Sequence, residues 1–271
     1  MAVVVDDLDT FEKRVDRLLN QRNHFEDAQV RRMRQVLRAI HAELMTQIID
    51  IKPADVNSFA AYQTSELRVA VERAAAQLDA QGGQTLANAL RDSYQNGGDF
   101  TNATLAMVGE GPPRGINLAA LNAALTVGSA LVTRVSDDFK SRSQVAIARG
   151  VAGHTSPHAL MREIGDMLKT QPDRHGKGQP SLEYQAERIM RTEMAGAFSV
   201  GNQVQMEDWA ARANNARKYW LSAEDLRVRP DHVQAAGHYS PRSIGQNGNG
   251  PIPFGEMYVV GGEKCRMPHD A

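Results

Sequence analysis

Apolar side chains recur every three or four residues through the first part of the chain, which is the spacing of an amphipathic helix. The apolar positions of this stripe are Val30, Met33, Leu37, Ile40, Leu44, Ile48 and Ile51. Such a stripe must be buried, either inside the protein's own helical bundle or against a partner helix. The other faces of this helix carry the basic residues Arg31, Arg32, Arg34 and Arg38. These fit a solvated helix surface, and they also fit a basic surface for DNA or a partner.

The pattern predicts further helices and the breaks between them. Pro53 closes the first helix, because proline disfavours helical geometry in the residue before it. Gly82-Gly83 predicts a break, and Gln95–Phe100 and Gly109–Gly115 are rich in turn-forming residues. The later predicted helices cover Ser65–Ala80, Thr85–Tyr94, Asn117 toward Arg149, a segment with Ser156 as cap and Pro157 as first residue, and a long segment that Ser181 opens.

The stretch Ile116–Thr133 contains no charged residue, and its length is close to what a bilayer requires. Polar side chains are spread along it, and a polar side chain at mid-membrane depth is costly. They are Asn117, Asn122, Thr126, Ser129 and Thr133. The sequence therefore favours a buried helix over a membrane-spanning one.

The sequence pattern changes from helical to mixed in the second half of the chain. After the long helix the segments are short, and KYWL and EMYVV have the aromatic and β-branched character of strands. We expect an α+β fold that is predominantly helical, with a helical region over residues 1–140 and a small α+β domain over residues 141–271.

Composition narrows the functional class. With 42% hydrophobic and 23% charged residues the chain is typical of a soluble globular protein, and the start of the chain lacks the basic region of a secretory signal. The net charge of −1 gives no overall attraction to nucleic acid, so any DNA contact must come from a local patch. Cys265 is the one cysteine, which excludes a disulfide within the chain.

The residues that could carry out chemistry lie near the C-terminus, and they could form a metal site in two ways. Asp231-His232, followed by Asn247 or Asn249 and then His269, has the order of a His-Asn-His nuclease hairpin, in which His232 would activate water. A zinc site could instead use His232, His238, Cys265 and His269. Neither set has the close ligand spacing of a known motif, so we assign no metal and no catalytic residue.

The segment Leu221–His238 is dense in charge and carries a proline, and we interpret it as a structural polar knot. Arginine forks can bind carboxylates and loop carbonyls in place of a larger apolar core. The residues assigned to this knot are Arg191, Glu193, Asp225, Arg227, Arg229 and His232. Arg191 and Glu193 are not expected to pair with each other, because side chains two residues apart on a helix diverge.

Several phrases, taken in order, resemble the Mu F-like minor head proteins of tailed bacteriophages. They are QAERIMRTEMAGAFSVGN (Gln185–Asn202), KYWLSAEDLRVRPDH (Lys218–His232), Pro253-Phe254, Gly262–Lys264 and Pro268–Asp270. The resemblance covers about residues 135–271. Family members usually continue past the last phrase into an Asn-Cys-Arg-Cys segment, so we expect the complete gene product to extend beyond Ala271.

The resemblance implies a structural function: a low-copy minor head protein at the portal vertex, acting in head morphogenesis, genome packaging or DNA delivery. It implies portal protein as partner, and the helical region over residues 1–140 is the candidate for docking to the portal or head. Major capsid protein, scaffolding protein and packaged DNA are further candidate partners, and no membrane is implied. It implies no cofactor and no enzyme activity, with the virion head near the portal as location after assembly in the host cytoplasm. Some relatives are fused to ADP-ribosyltransferase modules, whose Glu-x-Glu pair is missing here. The alternative from the residues is a metal-dependent nuclease-like enzyme that uses His232.

Overall fold

A computed structural model describes most of the chain, and it is mainly helical. The described residues are 8–51, 61–106, 117–168, 181–212, 217–218, 220, 230–239, 249–253 and 255–265, without the side chains of 8–12, 61–62 and 157. The helices are α1 (Leu8–Asp50), α2 (Ala61–Gln77), α3 (Gly83–Ala106), α4 (Leu118–Val151), α5 (Pro157–Met167), α6 (Leu182–Arg212) and α7 (Pro230–Tyr239), with a π turn (Leu78–Gly82) between α2 and α3. The strands are β1 (Arg217–Lys218), β2 (Ile252–Pro253), β3 (Tyr258–Val260) and β4 (Glu263–Cys265).

The chain forms two compact units. The first comprises Met1–Asn96 with Asn117–Phe198, and the second comprises Gly97–Ile116 with Ser199–Ala271. The boundary expected between residues 140 and 141 lies inside α4, which continues as one helix to Val151. Because α4 and α5 pack with each other, and each also packs against an N-terminal helix, both belong to the first unit.

The apolar stripe of α1 forms one side of the first unit's core. All seven stripe residues are buried, between 0% and 7% exposed, which confirms the helix predicted from Val30, although α1 already begins at Leu8. This helix packs against α2, the π turn and α5. The stripe is therefore buried within the protein's own bundle, and it is not available to a partner helix.

The break expected at Gly82-Gly83 and the turn expected over Gln95–Phe100 are both wrong. Gly83 has ordinary right-handed helical angles, and the helix continues from α2 through the π turn to Ala106. A glycine within a helix costs only about 1 kcal/mol relative to alanine. Burial of apolar side chains such as Leu86 and Leu90 outweighs that cost.

Local sequence determines the helix ends as expected. Ser156 accepts a hydrogen bond from the Ala159 N–H at 3.3 Å, and Ser181 accepts one from the Tyr184 N–H at 3.2 Å. At the end of α4, Gly153 has φ +78°, and the N–H groups of Gly153 and His154 donate to Gly150 and Arg149 in a Schellman motif.

The second unit contains short strands, as the sequence predicted. β3 lies within the predicted segment EMYVV, whereas β1 shares only Lys218 with KYWL, and Trp220 is not in a strand. β1 pairs antiparallel with β2, and β3 pairs antiparallel with β4. The β3–β4 turn consists of Gly261 and Gly262, both at positive φ, as a type I′ hairpin requires. Its small core is Trp220, Ala235, Tyr239, Ile252, Tyr258, Val260 and Cys265.

Candidate functional site

The first half of α4 is less buried than the sequence suggested. Helix α4 contains a window of mean hydropathy 1.5, long and apolar enough to cross a membrane by length and composition alone, and only 17% of that window is buried. Composition of this kind is weak evidence for a span, since core helices share it. The expectation of a buried helix holds for one side only, where Leu121, Gly128 and Val132 face the core.

The opposite side of this half-helix, which we call the α4 face, is exposed. It carries no charge from Leu118 to Thr133, and the exposed Arg134 follows directly on the same side. Its residues are Leu118, Ala119, Asn122, Ala123, Thr126, Val127, Ser129, Ala130 and Thr133. Leu118 and Val127 are 65% and 54% exposed. Exposed side chains as apolar as Leu118 and Val127 beside small, uncharged neighbours are a feature of surfaces that bind another macromolecule.

Neighbouring helices fix the position of the α4 face. The Asn117 side chain caps α4 by accepting from the Ala120 N–H at 3.1 Å, and the Asn117 N–H donates to the Tyr94 hydroxyl at 3.2 Å. Burial raises the pKa of Tyr94 and outweighs the opposing effect of its backbone hydrogen bond. Farther along, the buried Ser136 hydroxyl donates to the Ala75 carbonyl at 2.7 Å. The α4 face is thus presented by a firmly held helix.

Arg191, one of the six polar-knot residues, lies in a chain of ion pairs between α1 and α6. Arg34 contacts Glu183 at 3.0 Å and Glu187 at 2.5 Å, and Arg191 contacts Glu187 at 3.1 Å and Asp27 at 2.9 Å. Glu187 thus accepts from two arginines, one through each carboxylate oxygen. Since α1 residue numbers fall as α6 numbers rise, the two helices run antiparallel.

The electrostatics of this network follow from its geometry. Burial alone would raise the pKa of Glu187, but the hydrogen bonds and charges of Arg34 and Arg191 together lower it. Burial likewise acts to lower the pKa of Arg191, and its bonds to Glu187 and Asp27 raise it overall. Both groups are therefore held in their charged forms, which suits a structural tie and not proton transfer.

Glu193 has a different environment from its neighbour Arg191. It is half-buried, has no hydrogen-bond or ion-pair partner among the residues that the structure describes, and burial raises its pKa. The expected lack of pairing between Arg191 and Glu193 agrees with the partners found for Arg191.

The remaining four polar-knot residues follow helix α6 in the chain. Asp225, Arg227 and Arg229 lie outside the described residues. Arg191 and Glu193 belong to the first compact unit, whereas His232 belongs to the second. The prediction of one knot made by all six residues therefore stays a prediction.

His232 packs in an aromatic cluster. Its ring meets Trp220 edge to face at 5.3 Å between centroids, and Trp220 meets Tyr258 in the same way at 5.1 Å. The Lys218 ammonium lies 4.8 Å from the Tyr258 ring centre, a cation–π contact. The Tyr239 hydroxyl accepts from the Val259 N–H at 2.9 Å. Among the residues that the structure describes, aromatic packing against Trp220 holds His232 in place.

The candidate metal ligands do not gather in the described part of the chain, where no three His, Cys, Asp or Glu side chains are close enough to share an ion. His269 and Asn247 lie outside that part. The Nε2 atom of His232 is buried and has no hydrogen-bond partner among the described residues. Cys265 is buried in the small core beside Tyr258.

An open groove of roughly 600 Å³ lies where α1 ends and α2 begins. Its lining is Gln47, Asp50, Ile51, Ser65, Glu66, Val69, Ala70 and Arg73. The lining combines the apolar side chains of Ile51, Val69 and Ala70 with the charged side chains of Asp50, Glu66 and Arg73.

The sequence did not predict the α4 face as an exposed surface, although the absence of charged residues from Ile116 to Thr133 was visible in it. Alanine, serine and threonine occupy all sides of this helix, so periodicity could not tell its buried side from its exposed side. Comparison with protein-family models, curated proteins and solved structures finds no match to this chain.

Proposed function

We propose that this chain is a phage minor head protein that binds the portal vertex through the α4 face and acts in head morphogenesis, genome packaging or DNA delivery. The observation that carries the proposal is the exposed side of α4 between Leu118 and Thr133, which contains no charged residue. The proposal is also supported by the resemblance of the ordered segments from Gln185 to Asp270 to Mu F-like proteins, which implies the portal as partner.

The composition of the α4 face favours a protein partner over a bilayer. Small side chains alternate with amides and hydroxyls, including Asn122, Thr126 and Thr133. Small residues let another helix approach closely, and the Asn122 amide can hydrogen-bond across such a contact. The Thr126 and Thr133 hydroxyls already donate to Asn122 O and Asp79 Oδ1. The second half of α4 carries charged residues such as Asp138 and Arg142, which form an ion pair, and it packs with α2 and α5. Those features suit a helix that belongs to a soluble bundle.

The α1 stripe does not contribute to the proposed docking, because it is buried in the first unit. A truncation at residue 140 would cut α4 in two and remove helices against which α5 packs. Point substitutions on the surface of the intact chain therefore test the proposal better than deletion of the helical region.

The test is co-purification of portal protein with the full chain after nuclease treatment. In the docking variant, Val127→Glu and Ala130→Glu add charges to the α4 face. In the control, Val145→Glu and Ala148→Glu add the same charges about five turns along the same side of the helix. Val127 and Val145 are similarly exposed, at 54% and 58%.

We expect the docking variant to lose portal protein while the control retains it and both keep the wild-type melting temperature. Equal retention by both variants would refute docking through the α4 face. Loss of portal protein from the wild type once DNA is digested would refute direct portal binding.

A further inference from the structure

The solvent side of α1 is a second surface with a distinct character. Seven exposed basic residues lie on this side of the helix, all within about 60° on either side of a line drawn along the helix axis direction. These residues, the α1 basic face, are Lys13, Arg14, Arg17, His24, Arg31, Arg32 and Arg38. Arg34, which the sequence placed in the same group, instead lies at the α6 side and pairs with Glu183 and Glu187.

No carboxylate shares this face. Between residues 13 and 42 of α1, all of them described, the acidic residues are Asp16, Glu26 and Asp27. Glu26 pairs with Arg22, and Asp27 pairs with Arg191. Asp16 and Asp27 lie beyond the edge of the face, about 100° and 80° around the helix from its central line. The net charge of −1 for the whole chain therefore conceals a segregated positive surface.

The cations of the face are available to a ligand. Arg14, Arg17, Arg31 and Arg38 have no hydrogen-bond or ion-pair partner among the described residues, and Arg32 donates only to the neutral side chain of Gln29. A guanidinium of this kind can bind a phosphate with two parallel hydrogen bonds. The face therefore offers several phosphate-binding groups in a row.

Composition distinguishes between two classes of anionic partner. A stable protein interface needs a central group of buried apolar or aromatic side chains. Between Lys13 and Arg38 the face has no exposed large apolar side chain. Phosphate backbones, in contrast, are bound mainly by Arg and Lys together with neutral polar groups, which here include Asn20, Gln21 and Gln35. The observations favour nucleic acid over an acidic protein surface.

We infer that the α1 basic face binds the phosphate backbone of double-stranded DNA without sequence preference. Lys13 and Arg38 are about 37 Å apart along the helix, close to one turn of B-DNA. Because the exposed side chains between them lie along one line, several of them can reach phosphates of the same duplex. This inference goes beyond the portal proposal and does not depend on it.

The test is fluorescence anisotropy of a labelled random-sequence duplex titrated with the full chain at a series of salt concentrations. The face variant is Arg17→Gln with Arg31→Gln and Arg38→Gln. The control, Arg68→Gln with Arg73→Gln and Arg188→Gln, removes the same charge from exposed positions on α2 and α6.

We expect the face variant to bind roughly tenfold or more weakly and to lower the slope of log affinity against log salt by about 3, one unit per arginine. The control should change both quantities little. Equal losses in both variants would show a general charge effect and overturn the inference. Competition by poly-glutamate as effective as unlabelled duplex would assign the face to acidic proteins and overturn it as well.

Discussion

Arg34 donates a 2.5 Å hydrogen bond to Glu187, a residue 153 positions farther along the chain. This bond joins α1 to α6, and Arg191 holds the second carboxylate oxygen of Glu187. The pair therefore ties the start of the protein to the helix that carries the longest family-like phrase, Gln185–Asn202.

The first prediction concerns this tie. Glu187→Gln should lower the free energy of unfolding by about 1 to 2 kcal/mol, because it removes two charge-assisted hydrogen bonds whose arginines are partly exposed and screened by solvent. Asp27→Asn, at the exposed end of the network, should cost less. Chemical denaturation at pH 7 measures both, and a larger loss for Asp27→Asn would contradict the proposed centre of the network.

The tie also has a pH dependence with a definite sign. Because the folded pKa of Glu187 is lowered, its stabilisation is present above the ordinary glutamate pKa of about 4.3 and is lost as pH falls through the lowered folded pKa. The stability gap between wild type and Glu187→Gln should therefore narrow below about pH 4.

The second prediction concerns Glu193, whose pKa burial raises. The folded state favours its protonated form, so the stability that the protonated form brings is present below the ordinary glutamate pKa and is lost as pH rises through the raised folded pKa. Glu193→Gln should raise the melting temperature at pH 7, by less than Glu187→Gln lowers it. The gain should vanish near pH 4, and a gain that persists there would point to a cause other than charge burial.

The third prediction concerns the close approach of α3 and α4. A Cβ at Gly128 would lie 2.7 Å from Leu90 Cδ1 and 3.2 Å from Leu86 Cδ2, and both leucines are buried. Gly128→Ala should therefore destabilise the protein by about 1 to 3 kcal/mol despite the better helix propensity of alanine. Gly196→Ala is the control, since nothing lies within 4 Å of the added Cβ, and it should stabilise α6. Thermal melts of the two variants should move in opposite directions.

The fourth prediction concerns Trp220, which is 2% exposed between His232 and Tyr258. Trp220→Ala should cost about 3 to 5 kcal/mol, because it removes the largest side chain of the small core. Tyr184→Ala, at a 52% exposed aromatic on α6, should change stability little. Near-ultraviolet circular dichroism and thermal melts test this, and a wild-type melt for Trp220→Ala would show that the aromatic cluster is not the core of the second unit.

The described helices were predictable to different degrees for physical reasons. The second half of α1, from Val30, follows from its stripe, because the regular spacing of the apolar residues buries all seven on one side of a helix. The first half, from Leu8, was not predicted. The extent of α3 did not follow, since local glycines predicted turns that tertiary burial of Leu86 and Leu90 overrides. Neighbouring residues carry no information on the partner of a charge, so the pairing of Arg34 with Glu187 could not be predicted either.

The two candidate surfaces, the α4 face and the α1 basic face, were likewise predictable only in part. The missing charge along Ile116–Thr133 was visible in the sequence, but the exposed side depends on which residues α2 and α3 cover. On α1, the four arginines were visible as a group, and only the structure separates Arg34 from the exposed members. Exposure is a property of the packed chain, and sequence periodicity predicts it only where apolar and polar residues contrast strongly.

The π turn between α2 and α3 has a consequence for changes in chain length. Its hydrogen bonds span five residues where an α-helix spans four, so the segment holds one residue more than a regular helix needs. Loss of the exposed Ala80 would convert the turn into ordinary helix and leave Leu78 and Leu86 on the same buried side. Deletion of one residue elsewhere in these two helices would rotate all later side chains by about 100° out of the core. The π turn is therefore the place where the helix can become one residue shorter without a change in its packing.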